Sequence, residues 1–420
     1  MSDHKGTLIM LTNQFPDSRG DSTFICNEID GLADHFNQVL IWSYDTPSGP
    51  LVTVPENVKY MGPMSQRSTG WLSSRMHVAH SVSYCLKLLR DDLKHRSVPS
   101  PTQWARAVVH ALRASSAAVV IENHLKKVGI PLSETYLYGF WGMNGGLPLA
   151  LLGSSSKGSC VRLHGYDIYE ERTHGYIPFR HLMFENADLV FPISSNGAQY
   201  LAAHYPGYRN RISVQRLGTK DHGAGVGASR DVARVVSCSS IIPLKRVPLI
   251  FEVLAAAAAA APYPLEWIHF GGGSGLEEVR KLVTTTAHPN LLVDLRGPVP
   301  NAELMDFYSR TPVDAFINLS ETEGVPVSIM EAMSFDIPVV ATDVGGTPEL
   351  FCAGNSTGVL LPASPSAKKA ADAVLEVIEK RESYSPRSRW KDLCDAANLT
   401  RVLAEKIYFT GEERQREELR

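Results

Sequence analysis

Short apolar runs recur along the chain, each ended by a turn-rich stretch and followed by residues with helical spacing. Residues 8–11 form the first run and stop at the turn-rich loop 12–20. Ile25, Ile29, Leu32 and Phe36 then fall at i, i+4, i+7 and i+11, which predicts a helix with one apolar face, capped by Asp21 or Ser22. Residues 39–42 read as the second strand, and further strands are expected near 136–140, 160–163, 189–193 and 212–215. The stretch 216–230 is rich in glycine and charge without periodicity and reads as a linker. After it the pattern restarts, with strands at 232–238, 265–270, 291–296, 313–319 and 338–342. A helix is expected at 249–261, helped by the alanine run 255–261. Strands alternating with helices predict parallel sheets built from βα units.

Two segments, 70–97 and 102–128, depart from this rhythm and predict long helices inserted in the first half. They carry Arg75, Lys87, Arg90, Lys94, Arg96, Arg106, Arg113, Lys126 and Lys127 against few acids. Two readings stay open: a solvated charged face, or a basic platform for anionic lipid or a lipid-diphosphate acceptor.

A length of 420 residues exceeds one ordinary core and implies two domains. The formal net charge of -3 gives no global reason to expect nucleic-acid binding. Six widely spaced cysteines lack any Cys-x-x-Cys pair or zinc spacing, so they read as small apolar residues in a reducing compartment. The apolar run at 7–11 is too short for a signal-peptide core, and no run approaches membrane-spanning length, so a cytoplasmic protein is expected.

The densest chemistry lies between Asn318 and Glu349. Glu323 and Glu331 flank a Gly324-Val325-Pro326 turn that opens a helix, and a buried strand follows. Pro326 suits the first helical position, where no amide partner is lost. The amides of Val327 and Ser328 would then face outward at the positive end of the helix dipole, a site suited to phosphate. Carboxylates on either side of a phosphate site suit hydroxyl groups, and phosphate plus polyol describes a sugar nucleotide.

This segment resembles the signature of retaining, nucleotide-sugar-dependent glycosyltransferases of family 4. In that signature two glutamates frame a Gly-x-Pro turn, followed by Glu-Ala-Met, a Pro-Val-Val-Ala-Thr strand and Gly-Gly-x-x-Glu. The matching positions are Glu323, Gly324, Pro326, Glu331, Ala332, Met333, Pro338, Gly345, Gly346 and Glu349. The resemblance implies an α/β fold of GT-B type, two Rossmann-like domains facing each other across a cleft. It divides the chain into an acceptor-side domain, 1–218, a donor domain, 219–385, and a closing helix, 386–420, that crosses back. It is nearest to bacterial exopolysaccharide and capsule assembly enzymes, with a nucleoside diphosphate sugar as co-substrate and a glycan or lipid-linked acceptor.

Further residues take roles from the same resemblance. Lys245 grips the donor diphosphate. Its usual partner, an arginine five residues earlier, is Ser240 here, with Arg246 as the substitute. His164, in Arg162-Leu-His-Gly-Tyr-Asp167, contacts the transferred sugar, and Asp167 orients the imidazole or binds an acceptor hydroxyl. Arg162 and Asp21 fall on the acceptor side, and Gly20 lets the first-strand loop close over the sugar. Gly271 and Gly297 stand beside the nucleotide. No Asp-x-Asp occurs, so catalysis without a metal or other cofactor is expected. An epimerase or phosphorylase of the same fold, or a non-catalytic binder of sugar nucleotides, remains an alternative.

Overall fold

The computed structural model describes residues 6–64, 75–95, 97–228, 231–286, 288–351 and 356–418. Its contacts divide the chain into two compact units. One takes the chain up to Arg216 together with the segment from Ala397 onward, and the other is Leu217–Ala396.

In the first unit the order is β1 (Thr7–Thr12), α1 (Ser22–Ile25), α2 (Ile29–His35), β2 (Gln38–Ser43), β3 (Val58–Pro63), α3 (Arg75–His95) and α4 (Pro101–Val128). There follow β4 (Thr135–Gly139), α5 (Leu149–Leu152), β5 (Gly158–Leu163), α6 (Gly165–Ile168), α7 (Arg180–Asn186), β6 (Leu189–Pro192) and α8 (Ser195–His204). The second unit holds β7 (Ala233–Cys238), α9 (Val247–Ala260), β8 (Leu265–Phe270), α10 (Leu276–Thr285), β9 (Leu291–Gly297) and α11 (Asn301–Arg310). It continues with β10 (Ala315–Asn318), α12 (Val327–Ser334), β11 (Val339–Thr342), β12 (Gly358–Leu361), α13 (Ala367–Glu379) and α14 (Pro386–Leu393). The last helix, α15 (Ala396–Glu418), returns the chain to the first unit.

Each unit has one six-stranded sheet, ordered β3-β2-β1-β4-β5-β6 in the first and β12-β11-β10-β7-β8-β9 in the second. Every pair within them is parallel. The strand order therefore reverses between β1 and β4, and again between β7 and β10. Loops leaving the carboxyl ends of such a pair form the crevice where open parallel sheets bind ligands. Leu8 to Leu11 on β1 and Val235 and Val236 on β7 are fully buried, as strands covered by helices on both faces must be. The long helix α4 begins at Ser100, whose side chain accepts from Gln103 N, and ends at Gly129 in the left-handed conformation. The alanines of α9, Ala257 and Ala258, share a buried cluster with Ala370, Ala371 and Val374 of α13.

Several expectations are corrected. The helix over Ile25–Phe36 is two helices, broken at residues 26–28, and Glu28 at the break turns its carboxylate to Arg162, 2.6 Å away. Asp21 makes no side-chain cap. Residues 212–215 form only an isolated bridge to Val190. Ser213 N and Gln215 N reach Val190 O and Pro192 O at 3.0 and 3.1 Å, but Pro192 has no amide to return the intervening rung. The returning segment starts at 397 and not at 386, because α14 stays with the second unit. There Trp390 is fully buried, its Nε1 donates to Thr219 Oγ1 at 2.7 Å, and Thr219 N donates to Cys394 O. Arg96 and the side chain of Arg75 lie outside the described residues.

Candidate functional site

At the reversal point of the second sheet, β7 ends at Cys238 and the chain passes through a short 3-10 turn, Pro243–Lys245, into α9. Across it β10 ends at Asn318 and leads through residues 319–326 to α12. The two loops are tied by Glu321 N donating to Leu244 O at 2.8 Å. Between them Lys245 Nζ lies 2.6 Å from Glu323 Oε1, and Asn318 Nδ2 donates to the same oxygen at 3.3 Å. Two residues far apart in sequence thus form a charge pair over the switch point. Arg246 is not brought to this pair. Its backbone is left-handed, with φ 48°, and its guanidinium is held by Glu321 at 3.2 Å and Ala363 O at 2.8 Å.

Pro326 is the residue before α12, with extended backbone, and not its first helical residue. Ile329 N and Met330 N both bond to Pro326 O, which leaves the amides of Val327 and Ser328 ahead of the helical set. The turn is held from behind by paired glycines. A Cβ on Gly345 would lie 2.0 Å from Glu323 O, and one on Gly346 would lie 2.3 Å from Gly324 O. Gly346 N donates to Gly324 O at 2.7 Å, and Val325 is buried against the same glycine.

Glu331, in the second turn of α12, is buried and accepts from Asn301 Nδ2 at 2.7 Å. Burial pushes its carboxyl up to about 7, opposed by the Asn301 hydrogen bond. Asn301 begins α11 and was not singled out in sequence; its position after Pro300 at a helix start is the one signal it offers. Burial likewise pushes the Cys238 thiol up to about 12, with Glu331 adding to the shift and Lys245 opposing it. Ser240 is exposed, and its carbonyl accepts from Ile242 N. Gly271 and Gly297 meet, Gly271 N donating to Gly297 O at 2.9 Å. Gly271 has φ 137°, and a Cβ there would strike Ser239 O at 1.9 Å.

The reversal point of the first sheet is also clasped. Asn13 Oδ1, after β1, accepts from Gly145 N, after β4, at 3.0 Å. Gly20 is left-handed, with φ 61°. Asp21 is buried with its Oδ2 on the amides of Asn13 and Gln14, at 2.7 and 2.8 Å, so it braces this loop and presents no open carboxylate. Arg162 is likewise closed to a ligand, buried against Glu28, which also accepts from Tyr138.

His164 follows β5 and is buried beside Trp141, whose ring centre is 4.1 Å away, and Phe140, at 5.0 Å. Neither ring nitrogen has a hydrogen-bond partner. Burial, and then the charge of Arg162, hold the imidazole well below its usual range, so it is neutral. Asp167 does not orient the ring. Its two oxygens take the backbone amides of His164, at 2.5 Å, and Gly142, at 2.6 Å. Arg180, also buried, donates to Asp167 O from behind. Among the described residues no group of three or more His, Cys, Asp or Glu is placed to hold a metal ion, and no helix is long and apolar enough to cross a membrane.

Residues 226–392 match the family described as glycosyl transferases group 1. The chain is 29% identical over 220 residues to a putative colanic acid biosynthesis glycosyltransferase, WcaL, of Salmonella typhimurium. That match spans 50% of this chain and 52% of WcaL, so the chain spans about half the length of this relative. Among solved structures, TarM aligns with a TM-score of 0.67 at 11% identity, covering 97% of this chain and 99% of TarM. HepE of Anabaena in complex with UDP aligns with a TM-score of 0.63 at 15% identity, covering 96% of this chain and 99% of HepE.

Proposed function

We propose that this chain, whose residues 226–392 match the group 1 glycosyl transferases and whose fold is of GT-B type, transfers a sugar from a nucleoside diphosphate sugar to a glycan or lipid-linked acceptor in surface polysaccharide assembly. The observation that carries this reading is the Lys245–Glu323 pair at the switch point, beside the leading amides of α12 and the buried Glu331. A cation, two outward amides and two carboxylates match the parts of a sugar nucleotide: diphosphate, sugar and ribose. The WcaL relative, named for colanic acid biosynthesis, and HepE, solved with UDP, favour the same substrate class. The choice between a uridine and a guanosine donor stays within the proposal.

In this reading the donor diphosphate displaces Glu323 from Lys245. The ammonium and the amides of Val327 and Ser328 then stabilise the charge that grows on the leaving phosphate. Freed, Glu323 accepts from hydroxyls of the transferred sugar, while Glu331 takes the ribose hydroxyls. His164, neutral and with both buried ring nitrogens unpartnered, is assigned to the transferred sugar as a hydrogen-bonding group from the family resemblance. The acceptor hydroxyl attacks on the face that the phosphate leaves, and the departing phosphate oxygen takes its proton, so configuration is retained. No residue is assigned as a covalent nucleophile, and no metal step is part of the proposal.

The test is a panel of nucleoside diphosphates in thermal shift, followed by an assay of nucleoside diphosphate release from the matching sugar donor. A bound ligand raises the unfolding temperature, and release should depend on added acceptor. Binding without any release identifies a sugar-nucleotide binder, and no response to any nucleoside diphosphate rejects the proposal.

A further inference from the structure

The outer side of α3 carries two rows of side chains that the first unit does not bury. Val82, Leu86 and Leu93 are 50, 62 and 60% exposed. At about 3.6 residues per turn these three fall within an arc of roughly 40°. Arg90, Lys94 and Lys87, all exposed, occupy the next sector of roughly 60°. Both acids of the described part of α3 face inward. Asp91 accepts from Leu182 N at 3.1 Å and pairs with His95 at 3.4 Å, and Asp92 accepts from the Tyr176 hydroxyl at 2.5 Å. Among the described residues of α3 the acid nearest the cation row is therefore Asp91, a buried carboxylate already held by Leu182 N and His95. Lys87, Arg90 and Lys94 also line a shallow concavity with Leu86, Asp91 and Leu182. The next helix repeats the composition, with Val108, Val109 and Leu112 exposed on α4 near Arg106 and Arg113.

An apolar row beside a basic row is the pattern of a helix that lies in a membrane interface. Bulky apolar side chains left in water are an unfavourable arrangement unless something covers them. A soluble anion would use the three cations and leave Leu86 and Leu93 wet, whereas an anionic bilayer uses both rows at once. We infer that α3 docks flat on an anionic bilayer, with Val82, Leu86 and Leu93 entering the acyl boundary and Lys87, Arg90 and Lys94 resting on lipid phosphates. This inference goes beyond the reaction proposed above and holds or fails without it.

The experiment is co-sedimentation of the full chain with vesicles containing phosphatidylglycerol, compared with pure phosphatidylcholine, at low and high salt. Binding is expected on the anionic vesicles alone and is expected to be released by salt. Lys87→Gln, Arg90→Gln and Lys94→Gln together should weaken partitioning roughly a hundredfold, from the contribution of each cation near such a surface. Leu86→Ser with Leu93→Ser should also weaken it, and a Leu86→Trp variant should show blue-shifted emission on anionic vesicles alone. All these side chains face solvent, so circular dichroism and melting should match the parent. If the parent fails to sediment, or the triple variant partitions equally, the inference is overturned. If the cation variant loses binding while the serine variant keeps it and the tryptophan does not shift, the face is an ionic site for soluble phosphate compounds, and the bilayer assignment is wrong.

Discussion

Lys245 and Glu323, 78 residues apart, close a 2.6 Å ion pair across the point where the second sheet reverses its strand order. Lys245 is a quarter exposed and Glu323 nearly buried, so the pair is shielded on one side and open to an incoming anion on the other. In the proposed mechanism the pair is exchanged: the diphosphate takes the cation and releases the carboxylate.

Glu323→Gln should therefore lower turnover by tenfold or more, while affinity for the bare nucleoside diphosphate is kept or improved, because the competing carboxylate is gone. Lys245→Gln should weaken that affinity, by about 1.5–3 kcal/mol for a lost hydrogen bond to a charged group. Calorimetric titration of both variants separates the roles. A parallel fall in affinity for both would contradict the exchange.

In the proposed mechanism Glu331 would link ligand binding to stability. Its carboxyl titrates near 7 in the fold against an ordinary value of 4.5. Between those values the folded chain holds a proton that the unfolded chain releases, so this group's contribution to stability is greatest below about 4.5 and declines as pH rises through 7. Glu331→Gln cannot ionise. It should match the parent in acid and exceed it in stability above neutrality, by on the order of 3 kcal/mol. Glu331→Ala should weaken nucleoside diphosphate binding by about 1.5–3 kcal/mol. Denaturant unfolding on both sides of the titration checks the first claim, and a stability gap independent of pH would refute it.

Gly345→Ala should disturb the site without touching a charged group. The backbone there is left-handed, with φ 54°, and the new methyl would lie 2.0 Å from Glu323 O. The conformation alone costs about 1–2 kcal/mol for a residue with a Cβ, and the collision adds to it. A lowered melting temperature with much weaker nucleoside diphosphate binding is expected. An unchanged melting temperature would show that the turn relaxes freely.

Catalysis is expected to survive chelation. Activity assayed with EDTA should persist, since Lys245 and the α12 amides carry the charge stabilisation in the proposed mechanism. Full loss restored by magnesium or manganese would overturn it.

The central strands were legible because buried parallel strands are nearly continuous apolar runs: β7, β8 and β10 fall where those runs lie. Of the four edge strands, β6 and β9 were read in the sequence and β3 and β12 were not. Val58–Pro63 mixes lysine, tyrosine and glycine, and Gly358–Leu361 is four residues long, because an edge strand needs less apolar sequence. The turn at Gly324–Pro326 and its backing glycines could be read locally, since close backbone approach demands glycine at fixed places. What escaped were the partners. Asn301 on Glu331 and Glu28 on Arg162 join residues 30 and 134 positions apart, and no local pattern encodes such a contact. For the same reason Arg162, Asp167 and Asp21 looked like open polar groups, although each is committed to a contact within the first unit.

The chain enters and leaves the second unit at one spot. Thr219 bridges to Asp395, Ala396 N donates to Thr219 O at 3.1 Å, and Gln215 Nε2, just outside, reaches Leu399 O at 2.9 Å. Topologically the second unit is an insertion in a host, with both cut ends adjacent. Leu217–Ala396 can thus be excised as a cassette, and the host resealed by a short splice from Arg216 to Ala397. Each piece would keep a whole parallel sheet, so the nucleotide recognition proposed for the second unit could be measured, and grafted between relatives, apart from the first.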